Sequence, residues 1–279
     1  MLFRSYTRID GLSAITAKAQ QAHVSLQLFG DTTSYKEIFY TLFAWGFGYF
    51  GMPHIITKFM GIDNAKNLVK SKYLGVAWQI LALAAASSVG LVALAYFSIE
   101  VVNPELIFIS LVKDLFHPLA GGFVLCGLLA ATVSTMDSQL LVASSVISED
   151  IFKQFKRNWT EKQAIIAFRT AAASIALLAF VIALSRSSTI MDTVYFAWSG
   201  LGTSFAPVIL GSLYSKKLTH KGAFWSICTG SLFSMTWPTI NSFLYTHHIL
   251  EPIPSMIIGF PLAIFVLFLV SACDRRKSN

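Results

Sequence analysis

The chain has 279 residues, 55% of them hydrophobic and only 13% charged, with a mean hydropathy of +0.63. Those values exclude a soluble globular domain and indicate a protein that crosses a membrane several times. The net charge of +7 does not indicate nucleic acid, because the basic residues fall in short clusters between apolar stretches, where membrane topology accounts for them.

No alternating ten-residue pattern of a β-barrel is visible, so the expected class is an all-α membrane protein. Residues 1–36 are mixed in character and read as an extracytoplasmic segment, a short amphipathic helix or loop. They contain basic residues but no compact apolar core followed by a small-residue cleavage site, which is not the pattern of a signal peptide. The beginning reads as the interior of a longer protein. Apolar spans follow at about 38–59, 73–97, 118–147, 164–184, 189–214, 222–244 and 253–272, each near the roughly 20 residues a bilayer needs. Seven crossings are therefore expected. The shorter stretch 104–116 carries Lys113 and Asp114 among Leu106, Ile107, Phe108 and Leu111, and is placed as an amphipathic surface segment.

The first span, AWGFGYFGMPHIITKF, holds Gly46, Gly48 and Gly51 followed by Pro53. Such density weakens the helical ladder and leaves backbone groups free, which lipid does not allow unless they face protein or a wet cavity. Transporters hold solutes at helices broken in this way. Trp45 and Tyr49, at i and i+4, would stand on one face beside the break. The alternative is a glycine face for close helix packing with an ordinary proline kink.

The third span, 118–148, is apolar enough to cross a bilayer yet carries Ser134, Thr135, Asp137, Ser138 and Gln139. On a helix Ala131, Ser134 and Thr135 fall at i, i+3 and i+4, so a carbonyl and two hydroxyl oxygens can turn toward one spot. Clustered neutral oxygens suit a weakly bound hard cation such as Na⁺. Alternatively these hydroxyls close-pack helices and bond the preceding turn. Asp137 at midplane depth would cost on the order of 3 kcal/mol, so it should face a partner, an ion or water. The fifth span repeats the first, with Trp198 ahead of Gly200, Gly202 and Pro207, and is expected to be interrupted like it.

Lys58, Lys66, Lys70 and Lys72 follow the first span, Lys153, Lys156, Arg157 and Lys162 the third, Lys216, Lys217 and Lys221 the fifth, and Arg275, Arg276 and Lys277 the seventh. The alternate connections hold Lys113, Arg186 and none. This bias sets the C-terminus in the cytoplasm and, through seven crossings, the N-terminus outside. Cys126, Cys228 and Cys273 lie singly, without metal-type spacing, and read as small apolar packers. Ser134 with His54 or Asp137 lacks the spacing of a nucleophile and its base, so an intramembrane enzyme is not expected.

Three stretches carry a resemblance: WGFGYFGMPHII from Trp45 to Ile56, LFHPLAGGFVLCGLLAATVSTMDSQLLV from Leu115 to Val142 with SEDIFK after it, and YFAWSGLGTSFAPVIL from Tyr195 to Leu210. In order and spacing they resemble the sodium:solute symporter family, and the first resembles its proline branch more than its sugar carriers. The resemblance covers residues 38–272 and implies a bacterial inner-membrane carrier with five-plus-five inverted repeats, in which broken helices hold the solute. It implies that 37–215 is the second five-helix repeat, that 216–279 holds two trailing helices and a cytoplasmic tail, and that the first repeat is absent. It further implies Na⁺ as the coupling ion, with no cofactor, held by Ala131, Ser134 and Thr135, and a second ion near Ser134, Asp137 and Ser138. Trp45, Tyr49 and Pro53 match solute-binding positions, with Gly46, Gly48, Gly51, Trp198 and Gly200 beside them. The expected partners are L-proline, Na⁺, the lipid bilayer and the missing N-terminal half. Met52 departs from the family form, which has Gln there, and leaves the amino acid open. An inactive half-carrier, or a carrier of another amino or organic acid, is the alternative.

Overall fold

The structure, a computed structural model, describes residues 12–21, 26, 35–97, 103–152, 154, 160–185, 189–247 and 253–278. Most of the N-terminal segment lies outside the described residues, as do Lys153, Lys156, Arg157 and Arg186 and the side chain of Lys277. Among the described residues there is no strand, and the chain is a succession of helices. They are α1 Leu12–Gln21, α2 Tyr35–Gly48, a 3₁₀ turn Tyr49–Gly51, α3 Pro53–Met60, α4 Asn67–Tyr96, a 3₁₀ turn Pro104–Leu106 and α5 Ile107–Leu115. Then come α6 Pro118–Ser145, which runs on into a π-helical turn Val146–Phe152, α7 Glu161–Ser185, α8 Ile190–Tyr214, α9 His220–Thr246 and α10 Ser255–Ser278.

Local chemistry sets several of these starts. The His117 Nδ1 accepts from the Leu119 N–H at 3.4 Å beside Pro118, and Thr160 and Gln163 cap each other reciprocally ahead of α7 at 3.2 and 3.4 Å. Thr189 accepts from the Asp192 N–H at 3.1 Å and donates to its carboxylate at 2.6 Å. Asp192 thus belongs to the cap of α8 and sits where the helix dipole favours it.

Among the described residues five helices are long and apolar enough to cross a membrane: α4, α6 with its π-helical turn, α7, α8 and α10. The chain is an integral membrane protein. Two of the seven expected spans do not meet that standard. The first is broken into α2 and α3. The sixth, α9, has 27 residues, but Ser226, Thr229, Ser231, Ser234 and Thr236 dilute its apolar character.

The helices form two compact units, residues 1–32 with 61–176, and residues 33–60 with 177–279. In the first, Ile15 of α1 is buried against Val92 of α4, with Ala95 and Tyr96 around them. The amphipathic stretch is α5, whose Leu111, Val112 and Leu115 are buried, two of them packed with Ala93 of α4. Its neighbour α6 approaches at Gly121, where a β-carbon would touch Val112 at 3.4 Å.

The second unit is built around α8. Ala44, Ala206, Met256 and Phe260 form its core, ringed by Phe43, Phe47, Tyr195, Leu210 and Ile264. Small residues bring the helices close, as membrane helices require in the absence of a hydrophobic drive between them. Gly230 of α9 lies on the backbone of Thr203 and Ser204, and a β-carbon on Gly259 of α10 would meet the Thr203 methyl at 2.5 Å. Polar ties add to this: Ser226 Oγ donates to the Ala263 carbonyl at 2.9 Å, Trp237 Nε1 to the Ile253 carbonyl at 2.7 Å, and Ser204 and Ser231 share a hydroxyl bond of 2.9 Å.

The fifth span is not interrupted, contrary to the reading of its sequence: α8 runs through Pro207. Pro207 is fully buried and removes the N–H that the Thr203 carbonyl would normally accept. That carbonyl lies against the bare backbone of Gly230. The helix continues past Pro207 with that carbonyl packed closely on α9.

Candidate functional site

The predicted cation ligands lie in the first unit and the predicted solute-binding residues in the second. In the second, α2 ends at Gly48, a single 3₁₀ turn covers Tyr49–Gly51, and Met52 is extended at φ −93° and ψ 105° before α3 begins at Pro53. Pro53 has no N–H to continue the ladder and its ring disfavours a helical residue before it. Met52 closes both sides of the gap. Its N–H donates to the Tyr49 carbonyl at 3.3 Å, and its own carbonyl accepts from Ile55 and Ile56 at 3.1 Å each.

Trp198 of α8 is wedged against this break. Its indole N–H donates to the Trp45 carbonyl at 3.4 Å, one of the last-turn carbonyls of α2 that a helix end leaves without a full set of donors. Its ring lies 5.3 Å from Trp45 and 4.8 Å edge-on from Tyr49, and Tyr195 adds an edge contact to Trp45 at 6.1 Å. Gly48 is buried directly under the indole, where any β-carbon would overlap it. The expected pairing of Trp45 and Tyr49 on one face is present, and Trp198 is what they share.

One turn along, Gly51 rests on the backbone of α8. A β-carbon there would meet Gly202 Cα and the Leu201 carbonyl oxygen at 2.5 Å each, and one on Gly202 would meet Met256 at 2.6 Å and Gly48 Cα at 2.9 Å. Gly202 was not among the predicted site residues; Gly200 was. Gly200 faces α9, with Ser234 Oγ at 3.7 Å, and Gly46 has open space around it. Trp45, Gly48, Tyr49, Gly51 and Trp198 are thus brought together, with Met52 almost fully buried beside them, while Gly46 and Gly200 are not. The sequence offers both glycines of α8, and its packing against Met256 and Gly48 turns Gly202 to the break.

In the first unit, α6 carries Ala131, Ser134 and Thr135 on adjoining positions of one exposed face. Thr135 Oγ1 donates to the Ala131 carbonyl at 3.2 Å, and Ser138 Oγ to the Ser134 carbonyl at 3.0 Å. The two oxygens of each pair are therefore adjacent, and each hydroxyl oxygen keeps lone pairs for a cation. Such back-bonding alone does not mark a site, since Thr132 and Ser144 do the same at 3.0 and 2.6 Å. What sets the four residues apart is the shared face. Asp137 is exposed, three residues beyond Ser134. Among the described residues no three His, Cys, Asp or Glu side chains group to hold a metal ion, so the oxygens offered are chiefly neutral ones.

A model of the sodium:solute symporter family matches residues 1–230. Sodium/proline symporter 2 of Staphylococcus saprophyticus is 37% identical over 278 residues, 97% of this chain and 54% of the relative. A high-affinity proline transporter of Bacillus subtilis is 38% identical over 245 residues, 86% of this chain and 50% of its own length. A sodium/proline symporter of Staphylococcus aureus is 38% identical over 244 residues, 85% and 48% of the two chains. This chain spans about half the length of the curated relatives it matches.

Proposed function

Because the chain belongs to the sodium:solute symporter family, we propose that it supplies the second repeat, residues 37–215, and two trailing helices, 216–279, of a carrier that couples Na⁺ entry to uptake of L-proline. The observation that carries this reading is the broken helix at Tyr49–Met52 with aromatic rings gathered on it. The carbonyl end of α2 and the amide end of α3 offer partial charges of opposite sign within one turn. A zwitterion such as an amino acid, with its ammonium and carboxylate on one carbon, suits that pair. The Trp45 and Tyr49 rings supply flat apolar walls with polar edges for a small ring or alkyl body.

The coupling ion is assigned to Ala131, Ser134 and Thr135 of α6, with a second position at Ser134, Asp137 and Ser138. No covalent step is required, and the relatives' names are those of carriers. Each Na⁺ moving down a potential of about 100 mV contributes about 2.3 kcal/mol, to which its concentration gradient adds. Ion and solute binding then favour each other through a shared coupling energy. The bacterial relatives favour a bacterial cytoplasmic membrane for the carrier, and the basic connections favour a C-terminus inside. Met52 at the break, where the family form has Gln, favours a second reading in which another amino or organic acid is carried.

The test is uptake into proteoliposomes holding the complete carrier. An inward Na⁺ gradient is expected to accumulate labelled proline, and a sodium ionophore to abolish it. Accumulation unchanged when K⁺ replaces Na⁺ would reject sodium coupling, and failure of unlabelled proline to compete would reject the substrate.

A further inference from the structure

In the second unit, Phe43 of α2 and Pro261, Ile264, Phe265, Phe268 and Leu269 of α10 line an open, almost wholly apolar groove of about 580 Å³. It lies beside the face of α10 that is buried in the helix packing, with Phe260 and Ile264 shared between the groove and the core around Met256. Residues 261, 264, 265 and 268 follow one another at helical spacings, and the same series continues through 272 to 275 and 276. The groove therefore runs toward Arg275 and Arg276.

The Arg275 Nε donates to the Ser271 carbonyl of its own helix at 3.3 Å, which lays the guanidinium back along α10. Asp274, the acidic residue between Ser271 and these arginines, is directed elsewhere: its Oδ1 meets Lys221 Nζ of α9 at 2.6 Å. Lys216 and Lys217 stand in the turn ahead of α9. This end of the unit is strongly basic.

Dimensions choose the occupant. From Phe265 to Arg275 is ten residues, about 15 Å of helix, which is half of the roughly 30 Å hydrocarbon core and so one leaflet. The lined stretch from Pro261 to Leu269 is about 12 Å long, and its lining is almost wholly hydrocarbon, as an acyl chain requires. We propose that this groove is a binding site for an anionic phospholipid, with its phosphate held by Arg275 and Arg276 and one acyl chain seated between Phe43 and α10. The site is independent of the transport reading.

The test is native mass spectrometry of the purified protein after exposure to phosphatidylglycerol or phosphatidylcholine of equal chain length. Phosphatidylglycerol is expected to be retained preferentially, and the pair Arg275→Gln with Arg276→Gln to weaken its retention about 30-fold. Lys216→Gln with Lys217→Gln should change it less than about threefold. Ile264→Trp, which fills the groove without touching charge, should weaken retention of both lipids. Each variant is compared at equal helical content and elution volume, so that misfolding is scored separately. Equal retention of the two headgroups, equal losses from the arginine and lysine pairs, or no effect of Ile264→Trp would each overturn the proposal.

Discussion

Gly51→Ala is the sharpest perturbation the second unit offers, because the added atom meets backbone. Its β-carbon would lie 2.5 Å from both Gly202 Cα and the Leu201 carbonyl oxygen and 2.8 Å from the Gly202 nitrogen. Ordinary contact begins near 3.5 Å, so the 3₁₀ turn and α8 must separate by about 1 Å. No side chain can rotate away to absorb that. Overpacking of this kind costs about 1–3 kcal/mol. Gly46, five residues earlier, has nothing within 4 Å of the same added atom, and alanine there gains up to about 1 kcal/mol of helix propensity. The two substitutions are chemically identical and should move stability in opposite directions by a total of about 1–4 kcal/mol. Unfolding of the purified chain in detergent, followed by its helical circular dichroism, reads the difference. Equal shifts for the two variants would refute the close approach of the break to α8.

Trp198→Phe keeps a ring against Trp45 and Tyr49 but removes the N–H given to the Trp45 carbonyl. It should weaken the apparent affinity of the carrier for proline by about 2–10-fold, read from the proline dependence of uptake, with Trp198→Ala worse. Lys221→Gln removes an ion pair whose lysine is 73% exposed, and should change unfolding by less than about 1 kcal/mol. A larger loss would mean that the α9–α10 end depends on it.

The break was legible because its cause is local. Pro53 lacks an N–H, three glycines precede it, and Trp45 and Tyr49 fall one turn apart whatever surrounds them. The α6 face was legible for the same reason, since Ala131, Ser134, Thr135 and Ser138 share a face in any helix. What escaped depends on partners distant in sequence. Whether Gly200 or Gly202 meets the break is a question of how α8 is rotated, and packing against Met256 and Gly230 decides it. Pro207 reads as an interruption until its neighbour's freed carbonyl is seen against Gly230. Trp198 reads as one of the solute-binding residues, and the contacts of its indole, to the Trp45 carbonyl and over Gly48, depend on how α8 meets α2. The sixth span is present as the 27-residue α9, and the hydroxyl side chains that make it less apolar include those that tie it to α8 and α10 through Ser231 and Ser226.

The ion site proposed above has α6 holding the coupling Na⁺ through neutral oxygens. It is tested most directly by the Na⁺ concentration needed for half-maximal proline uptake in the complete carrier. Ser134→Ala and Thr135→Ala should each raise it about tenfold or more, the scale of one bond to a charged group, while Ser231→Ala, which loses a hydroxyl bond to Ser204 at the α8–α9 contact, should leave it within about twofold. The same Na⁺ dependence in all three variants would rule out an ion site on α6.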